Sequence, residues 1–267
     1  MPELPEVETI KRELEKAVLG KKIVKVVVHN PTVIREPSPE KFAQGIAGAS
    51  IKNILRKAKV LILALSNEKF LVIHLKMTGQ LVYPSRNNKE ARVSFQLSDG
   101  KTLDFNDRRL FGELRLRDRW QNLKFIQGLG PEPFDISKQR FSAMLASRKT
   151  KIKPLIMDQT FIAGIGNLYA AEALFRSRIH PARSAASLAE KEKGLLYKEI
   201  CDTLKEAITH HGSSVDQYVQ LSGNPGGYGA YHKVYDREGK ACLACKIPIK
   251  RISLGGRGTY FCPHCQK

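Results

Sequence analysis

Four of the five cysteines lie in the last thirty residues as two pairs, Cys242 with Cys245 and Cys262 with Cys265, each pair a C-x2-C and sixteen residues apart. That spacing fits a four-thiolate zinc site, in which each C-x2-C directs two sulfurs at one ion and the intervening segment makes a hairpin. Two disulfides would satisfy the same spacing, but the reducing interior of a cell disfavours them. A tail of about thirty residues buries too little apolar surface to fold by packing alone, so the metal is predicted to be structural. With four protein ligands it has no open coordination position. The sequence therefore predicts one structural Zn2+ and no catalytic metal. The fifth cysteine, Cys201, falls in an amphipathic helical pattern and reads as a buried apolar side chain.

With catalysis placed elsewhere, the charge balance is the next constraint. The chain carries 45 Lys and Arg against 26 Asp and Glu, a net +19 spread along its whole length. Such an excess points to a polyanionic partner, and nucleic acid is the reading that charge favours over simple solubility. Over 267 residues, a hydrophobic content of 42% suffices for one large domain or two ordinary ones. The longest apolar run, VLILAL at 60–65, is far too short to span a bilayer, and the N-terminus lacks the pattern of a signal peptide. A cytoplasmic location with no membrane association is the expectation.

The first half alternates between turn signals and runs rich in β-branched residues: KIVKVVVHN, VLILAL, FLVIHLKMTGQLVYP and ARVSFQLSDGKTLDF, with Asp99-Gly100 as a hairpin turn. Before them, Val7, Ile10, Leu14 and Val18 recur at helical spacing from Pro5 and Glu6 to Gly20. A β-sandwich or barrel with helices at its margin follows. From about residue 130 the pattern turns helical, with segments QRFSAMLAS, KPLIMDQ, NLYAAEALFRS and AEKEKGLLYKEICDTLKEAITHH. The glycine-rich LSGNPGGYGAY then reads as a mobile loop. The expected class is α+β multidomain: residues 1–130 a catalytic β-sandwich, 131–232 a helical domain with that loop, and 233–267 the zinc finger.

The N-terminus, MPELPEVET, is the candidate for chemistry. Methionine is commonly removed before a small residue such as proline, and removal would expose a secondary amine. An α-amino group is less basic than a lysine side chain, so more of it is unprotonated near neutrality. A secondary amine that attacks a sugar aldehyde carbon gives an iminium that cannot lose an N–H proton; it stays cationic and draws electrons for elimination. Glu3 supplies a carboxyl for proton transfer, and Glu6, in the first helical turn, can complement the helix dipole and fix the amine. Taken alone, the same residues are an ordinary proline and glutamate helix start.

MPELPEVET does not stand alone. The chain also carries RKAK ending at Lys59, HLKMTG at 74–79, DRRLFG at 107–112, LGPEP, IKPLIMDQ, GIGNLYAAEALF and GRGTYFCPHCQ. Together, in this order, they resemble the formamidopyrimidine-DNA glycosylase (Fpg, MutM) family over essentially the whole chain. The resemblance implies a bifunctional glycosylase and abasic-site lyase that excises 8-oxoguanine and formamidopyrimidines from duplex DNA, acts as a monomer, and joins an N-terminal β-sandwich to a helix-two-turn-helix domain and a zinc finger. It implies Pro2 as the nucleophile on the anomeric carbon, Glu3 as acid and base, Glu6 as support and Lys59 as a catalytic-site cation. It implies DNA contacts by His74, Lys153, Asn167, Tyr235 and Arg237. Met77, Arg109 and Phe111 would fill the gap left by an extruded base, although by residue type alone Met77 and Phe111 read first as core residues. The glycine-rich loop would close over the extruded base. Arg257, beside the hairpin glycines, reads independently as a phosphate or minor-groove contact or as a solvated side chain. Asn167 is also a good N-cap residue at a helix start that presents N–H groups to phosphate.

Two positions depart from the family pattern: Leu110 stands where a basic residue is expected, and Asp236 where glycine is common. Two rival functions remain, an endonuclease VIII-like glycosylase for oxidised pyrimidines and a catalytically silent protein that binds damaged DNA.

Overall fold

The helical period read from the N-terminal segment is the one its side chains bury. In α1 (Leu4–Val18), Leu4, Val7, Ile10, Leu14 and Val18 are all buried. The helix begins one residue before Pro5 because Glu3 and Glu6 form the two ends of a capping box, which satisfies backbone N–H groups that a helix start leaves open. The computed structural model describes residues 1–85, 89–215 and 217–267.

After α1 come β1 (Ile23–Val28), β2 (Ile34–Glu36), α2 (Pro39–Ile46), β3 (Ile51–Lys57), β4 (Val60–Leu65), β5 (Phe70–His74), β6 (Gly79–Val82), β7 (Ala91–Leu97), β8 (Thr102–Asp107), β9 (Glu113–Arg117) and the short α3 (Lys124–Gln127). One sheet has the order β1-β7-β8-β6 and the other β2-β9-β5-β4-β3. They form the predicted sandwich, with Ile54, Leu61, Leu63, Ile73, Phe95, Leu103 and Phe105 in its core. β4 is buried along nearly its whole length because α1 also packs on β3 and β4. This is why VLILAL is continuously apolar where a half-exposed strand would alternate. The Asp99-Gly100 turn joins β7 to β8 as the sequence predicts.

The chain divides into two compact units, Met1–Gln127 with His210–Gly229, and Gly128–Thr209 with Ala230–Lys267. The second contains α4 (Lys138–Ala146), α5 (Ile152–Met157), α6 (Asn167–Arg176), α7 (Glu190–Thr209) and the hairpin of β10 (Lys250–Leu254) and β11 (Arg257–Phe261). These helices match the segments read from the sequence to within two residues at most ends. Cys201 is buried in α7, and burial pushes its thiol pKa up. No helix among the described residues is long and apolar enough to cross a membrane.

Candidate functional site

Met1 is exposed, whereas Pro2, Glu3 and Glu6 are buried behind it. The Glu6 carboxylate holds this start in place from two sides: Oε2 accepts from the Glu3 backbone N–H at 2.7 Å and Oε1 from that of Ser213 at 2.9 Å. The second bond requires close approach, since a Cβ at Gly212 would lie 2.8 Å from Glu6 Oε1. A side chain there would displace the carboxylate. The same helix reaches the glycine-rich stretch, where Glu13 accepts from the Leu221 N–H at 2.7 Å and the Leu221 carbonyl accepts from Tyr83 N–H at 2.7 Å.

That stretch carries several local hydrogen bonds. Gln220 N–H donates to the Asn224 carbonyl (2.8 Å), Gln220 Nε2 to Pro225 O (2.7 Å), and Gly226 N–H to Ser214 Oγ (2.8 Å). Its glycines serve tight turns and close backbone approach, which a composition count cannot distinguish from mobility.

Lys59 stands at the tip of the β3–β4 hairpin, 6% exposed, where Lys57 pairs with Val60. The tip is braced by Arg56, whose Nη1 donates to Ala58 O (3.0 Å) and whose Nε donates to Glu8 of α1 (2.8 Å). Burial works to raise the Glu8 pKa, but hydrogen bonds from Arg56 and Arg12 outweigh it and hold the carboxyl below its ordinary value. The hairpin that carries the candidate Lys59 is thus joined to α1, the helix beside the candidate nucleophile, by the Arg56–Glu8 ion pair.

His74, at the end of β5, pairs with Val60. Burial of its ring, then the nearby Lys76, push its pKa down to about 3, against the pull of Glu113. The Lys76 backbone N–H donates to Nδ1 at 3.1 Å, so the neutral ring carries its proton on Nε2. His74 can therefore meet a phosphate oxygen as an uncharged donor across the physiological range. Because its folded pKa lies below the unfolded 6.5, the site favours folding above that pH, and this contribution is lost as pH falls toward 3.

Met77, Arg109 and Phe111 come together on two connectors, β5–β6 and β8–β9. Arg109 Nη1 lies 3.5 Å from Met77 Sδ, and its guanidinium lies over the Phe111 ring, 4.7 Å from its centroid. Phe111 is 47% exposed, so the core reading fails for it. Beside them Leu110 adopts φ +58°, a conformation that costs a side-chain-bearing residue about 1–2 kcal/mol. Its side chain packs on the sandwich core.

The second unit places the remaining candidates. Lys153 is 1% exposed, not solvated: Nζ donates to Asn167 Oδ1 and to Thr259 Oγ1 (2.9 Å). Asn167 in turn donates from Nδ2 to Gly258 O at 3.1 Å. The predicted N-cap role is corrected here: Gly166 is the N-cap of α6, and the Asn167 side chain, bound to Lys153 and the β11 strand, makes no capping bond. Both Lys153 and Asn167 therefore depend on the hairpin's position. Arg257, exposed at the start of β11, follows the left-handed Gly255 and Gly256.

Tyr235 and Arg237 lie on a segment folded around the fully buried Glu172 of α6, whose carboxylate accepts from the N–H groups of Lys233 (2.9 Å), Val234 (3.0 Å) and Tyr235 (2.8 Å). Arg237 Nε is buried without a hydrogen-bond partner among the described residues, while its Nη2 donates to the Ala241 carbonyl at 3.3 Å. Asp236 has φ +56°, a left-handed conformation that glycine adopts freely and that Asp tolerates better than most residues.

The four paired cysteines converge, with all Sγ atoms within 4.8 Å of one another, and Cys242 and Cys262 buried. Tetrahedral zinc–thiolate bonds of about 2.3 Å place sulfurs about 3.8 Å apart, and the observed 3.4 Å and 4.0 Å separations bracket that value. The Cys265 N–H points to Cys262 Sγ at 3.4 Å, as in a metal-binding knuckle. The donor set fits one structural zinc.

Sequence reading missed Glu8, Arg56, Asp107 and Glu172, each of which acts on partners distant in the chain. Asp107 and Glu172 show as buried carboxylates, and Glu8 and Arg56 as an ion pair, only once the chain is folded.

Three family models match the chain in order: formamidopyrimidine-DNA glycosylase N-terminal domain over residues 1–114, formamidopyrimidine-DNA glycosylase H2TH domain over 129–219, and a zinc finger found in FPG and IleRS over 239–267. A protein of Pelotomaculum thermopropionicum named formamidopyrimidine-DNA glycosylase is 43% identical over 274 residues, covering 100% of this chain and 99% of the relative. Its counterpart from Streptococcus pneumoniae is 39% identical, with the same coverage of both. Among solved structures, MutM (FPG) from Thermus thermophilus superposes with a TM-score of 0.90 at 39% identity over 99% of this chain and 98% of that one. A Lactococcus lactis FPG mutant in complex with a Fapy-dG containing DNA gives 0.92 at 34% identity over 100% of both chains.

Proposed function

The chain belongs to the formamidopyrimidine-DNA glycosylase family, and from that premise we propose that its own N-terminus carries the family's reaction. It is a DNA glycosylase of base excision repair for oxidised purines, in a family where abasic-site lyase activity is typical. Removal of Met1 frees the Pro2 amine, which attacks C1′ of the damaged nucleotide and displaces the base. Glu3 protonates the sugar ring oxygen, the ring opens, and the adduct is an iminium. Loss of a C2′ proton then expels the 3′ phosphate, a second elimination expels the 5′ phosphate, and water hydrolyses the remaining iminium to release the unsaturated sugar aldehyde from Pro2, leaving a one-nucleotide gap. Glu6 holds Glu3 and the Ser213 backbone in register, and Lys59 and His74 bind the adjoining phosphate.

The reading is carried above all by a buried Pro2–Glu3 pair whose backbone is fixed by Glu6 behind an exposed methionine. Met77, Arg109 and Phe111 would occupy the stack, with the arginine on the orphan cytosine. Lys153, Asn167, Tyr235, Arg237 and Arg257 would grip backbone phosphates. Residues 1–130 would hold the chemistry, 131–232 the helix-two-turn-helix grip and lesion loop, and 233–267 the zinc finger. We place the protein in the cytoplasm as a monomer acting on double-stranded DNA with oxidised bases or abasic sites.

Competing duplexes bearing 8-oxoguanine opposite cytosine and thymine glycol opposite adenine test the reading. The matured protein should cleave the oxidised purine first. Preference for thymine glycol would assign an endonuclease VIII-like enzyme, and failure to cleave a preformed abasic site would leave a silent damage-binding protein.

A further inference from the structure

The three gap-filling side chains come from two connectors, and something must hold those connectors in register. Asp107, the last residue of β8, has no exposed surface, and among the described residues its carboxylate hydrogen-bonds to no charged side chain. Oδ1 accepts from the Thr78 hydroxyl and from the Arg109 N–H (3.2 Å), while Oδ2 accepts from the Gly112 N–H at 2.6 Å. Thr78 follows Met77 on the β5–β6 connector, and its Oγ1 also accepts from the Arg109 N–H at 3.1 Å. The Asp107 backbone is anchored too, since β8 pairs with β6 there, opposite Gly79, and Arg92 Nε donates to the Asp107 carbonyl at 2.9 Å. Gly112 allows the close approach: a Cβ there would lie 2.8 Å from Asp107 Oδ2 and 2.6 Å from the Phe105 ring. One carboxylate thus binds both ends of the loop that carries Arg109 and Phe111, and through Thr78 it binds the turn that carries Met77.

We propose that Asp107 is a positioning residue for base extrusion, and that its carboxylate sets the register of Met77 against Arg109 and Phe111. The inference rests on the gap-filling role proposed for those three side chains. Its chemistry is specific to a carboxylate. Ionised Asp offers acceptor sites on both oxygens and no donor, which suits three converging donors. Asparagine has the same shape but must turn its NH2 group toward either Gly112 N–H or the Thr78 and Arg109 pair. With the NH2 toward Gly112, that buried N–H faces another donor; turned the other way, the amide leaves the Arg109 N–H with its Thr78 Oγ1 bond alone, and the connector must shift to relieve either arrangement.

Extruding a stacked base costs a few kcal/mol, and least where pairing and stacking are already lost. A displaced wedge should therefore impair oxidised-base excision more than cleavage at an abasic site, which has no base to unstack. The test compares Asp107→Asn and Thr78→Val with the unaltered protein, measuring single-turnover excision of 8-oxoguanine opposite cytosine and opposite adenine, cleavage of a preformed abasic site, and thermal unfolding. Arg109→Ala and Phe111→Ala run beside them.

Asp107→Asn should lower excision relative to abasic cleavage by about tenfold, the equivalent of one unsatisfied buried donor, and narrow the cytosine-over-adenine preference. Thr78→Val should move both ratios the same way by less. Equal losses on both substrates, or an unchanged opposite-base ratio, would show that Asp107 only supports the fold and would overturn the inference. If Asp107→Asn does not fold, Thr78→Val decides by the same two ratios. If Arg109→Ala and Phe111→Ala leave both ratios intact, the gap-filling reading itself fails, and the role of Asp107 falls with it. If they shift the ratios while Asp107→Asn and Thr78→Val do not, only the positioning role is refuted.

Discussion

Glu3→Gln is expected to lower single-turnover excision of 8-oxoguanine by about 10²–10⁴-fold, the usual contribution of a positioned general acid or base, while leaving the lesion duplex bound. Glutamine keeps the length and hydrogen-bonding shape of a side chain that is 4% exposed at the helix start, so the capping arrangement with Glu6 survives. What it cannot do is deliver a proton to the sugar oxygen or take one from C2′. An unchanged excision rate in Glu3→Gln would remove Glu3 from the mechanism, whereas loss of both binding and catalysis would mark it as structural.

Stripping the zinc, or replacing Cys262 with serine, is expected to abolish tight DNA binding while the N-terminal sandwich still unfolds as a cooperative unit. Binding of zinc to a four-thiolate finger supplies folding free energy of the order of 10–16 kcal/mol near neutral pH, and the segment has little core of its own. The effect would spread beyond Arg257. Thr259 and the Gly258 carbonyl hold Lys153 and Asn167, so unfolding the hairpin releases both. Losing the two hydrogen bonds to phosphate proposed for these side chains, each about 1.5–3 kcal/mol, would weaken binding by about 100-fold or more. Retained affinity after the metal is removed would show that the helices of this unit suffice for the phosphate grip.

Signals that act over a few residues were legible in the sequence. The α1 period, the Asp99-Gly100 turn, the four C-terminal helices and the cysteine spacing each specify local geometry, and each is present. The Pro2–Glu3 chemistry could be stated as a possibility from residue types, but the motif resemblance was needed to prefer it over a plain helix start. Phe111 shows why: an aromatic beside a strand reads as core, and only the fold reveals it exposed under an arginine.

What remained hidden depends on contacts between distant residues. Lysine is a residue of the surface by default, yet Lys153 is buried because Asn167 and Thr259 supply acceptors 14 and 106 positions away. The three carboxylates that organise functional loops share this property. Glu6 reaches Ser213, Glu172 collects N–H groups from 233 to 235, and Asp107 joins two connectors. In each case a buried acid accepts mainly from backbone N–H groups, which are present at every non-proline residue and leave no trace in sequence. A buried carboxylate with such donors fixes a loop without requiring a basic side chain.

The most direct test of the account is borohydride trapping of the purified protein on a duplex containing 8-oxoguanine opposite cytosine, followed by peptide mapping of the adduct. A single crosslink at an N-terminal Pro2, in protein lacking Met1, is the predicted result, and it would establish both the free secondary amine and the iminium. A crosslink at Lys59 or another lysine, or bound DNA with no crosslink in protein shown to lack Met1, would contradict the mechanism.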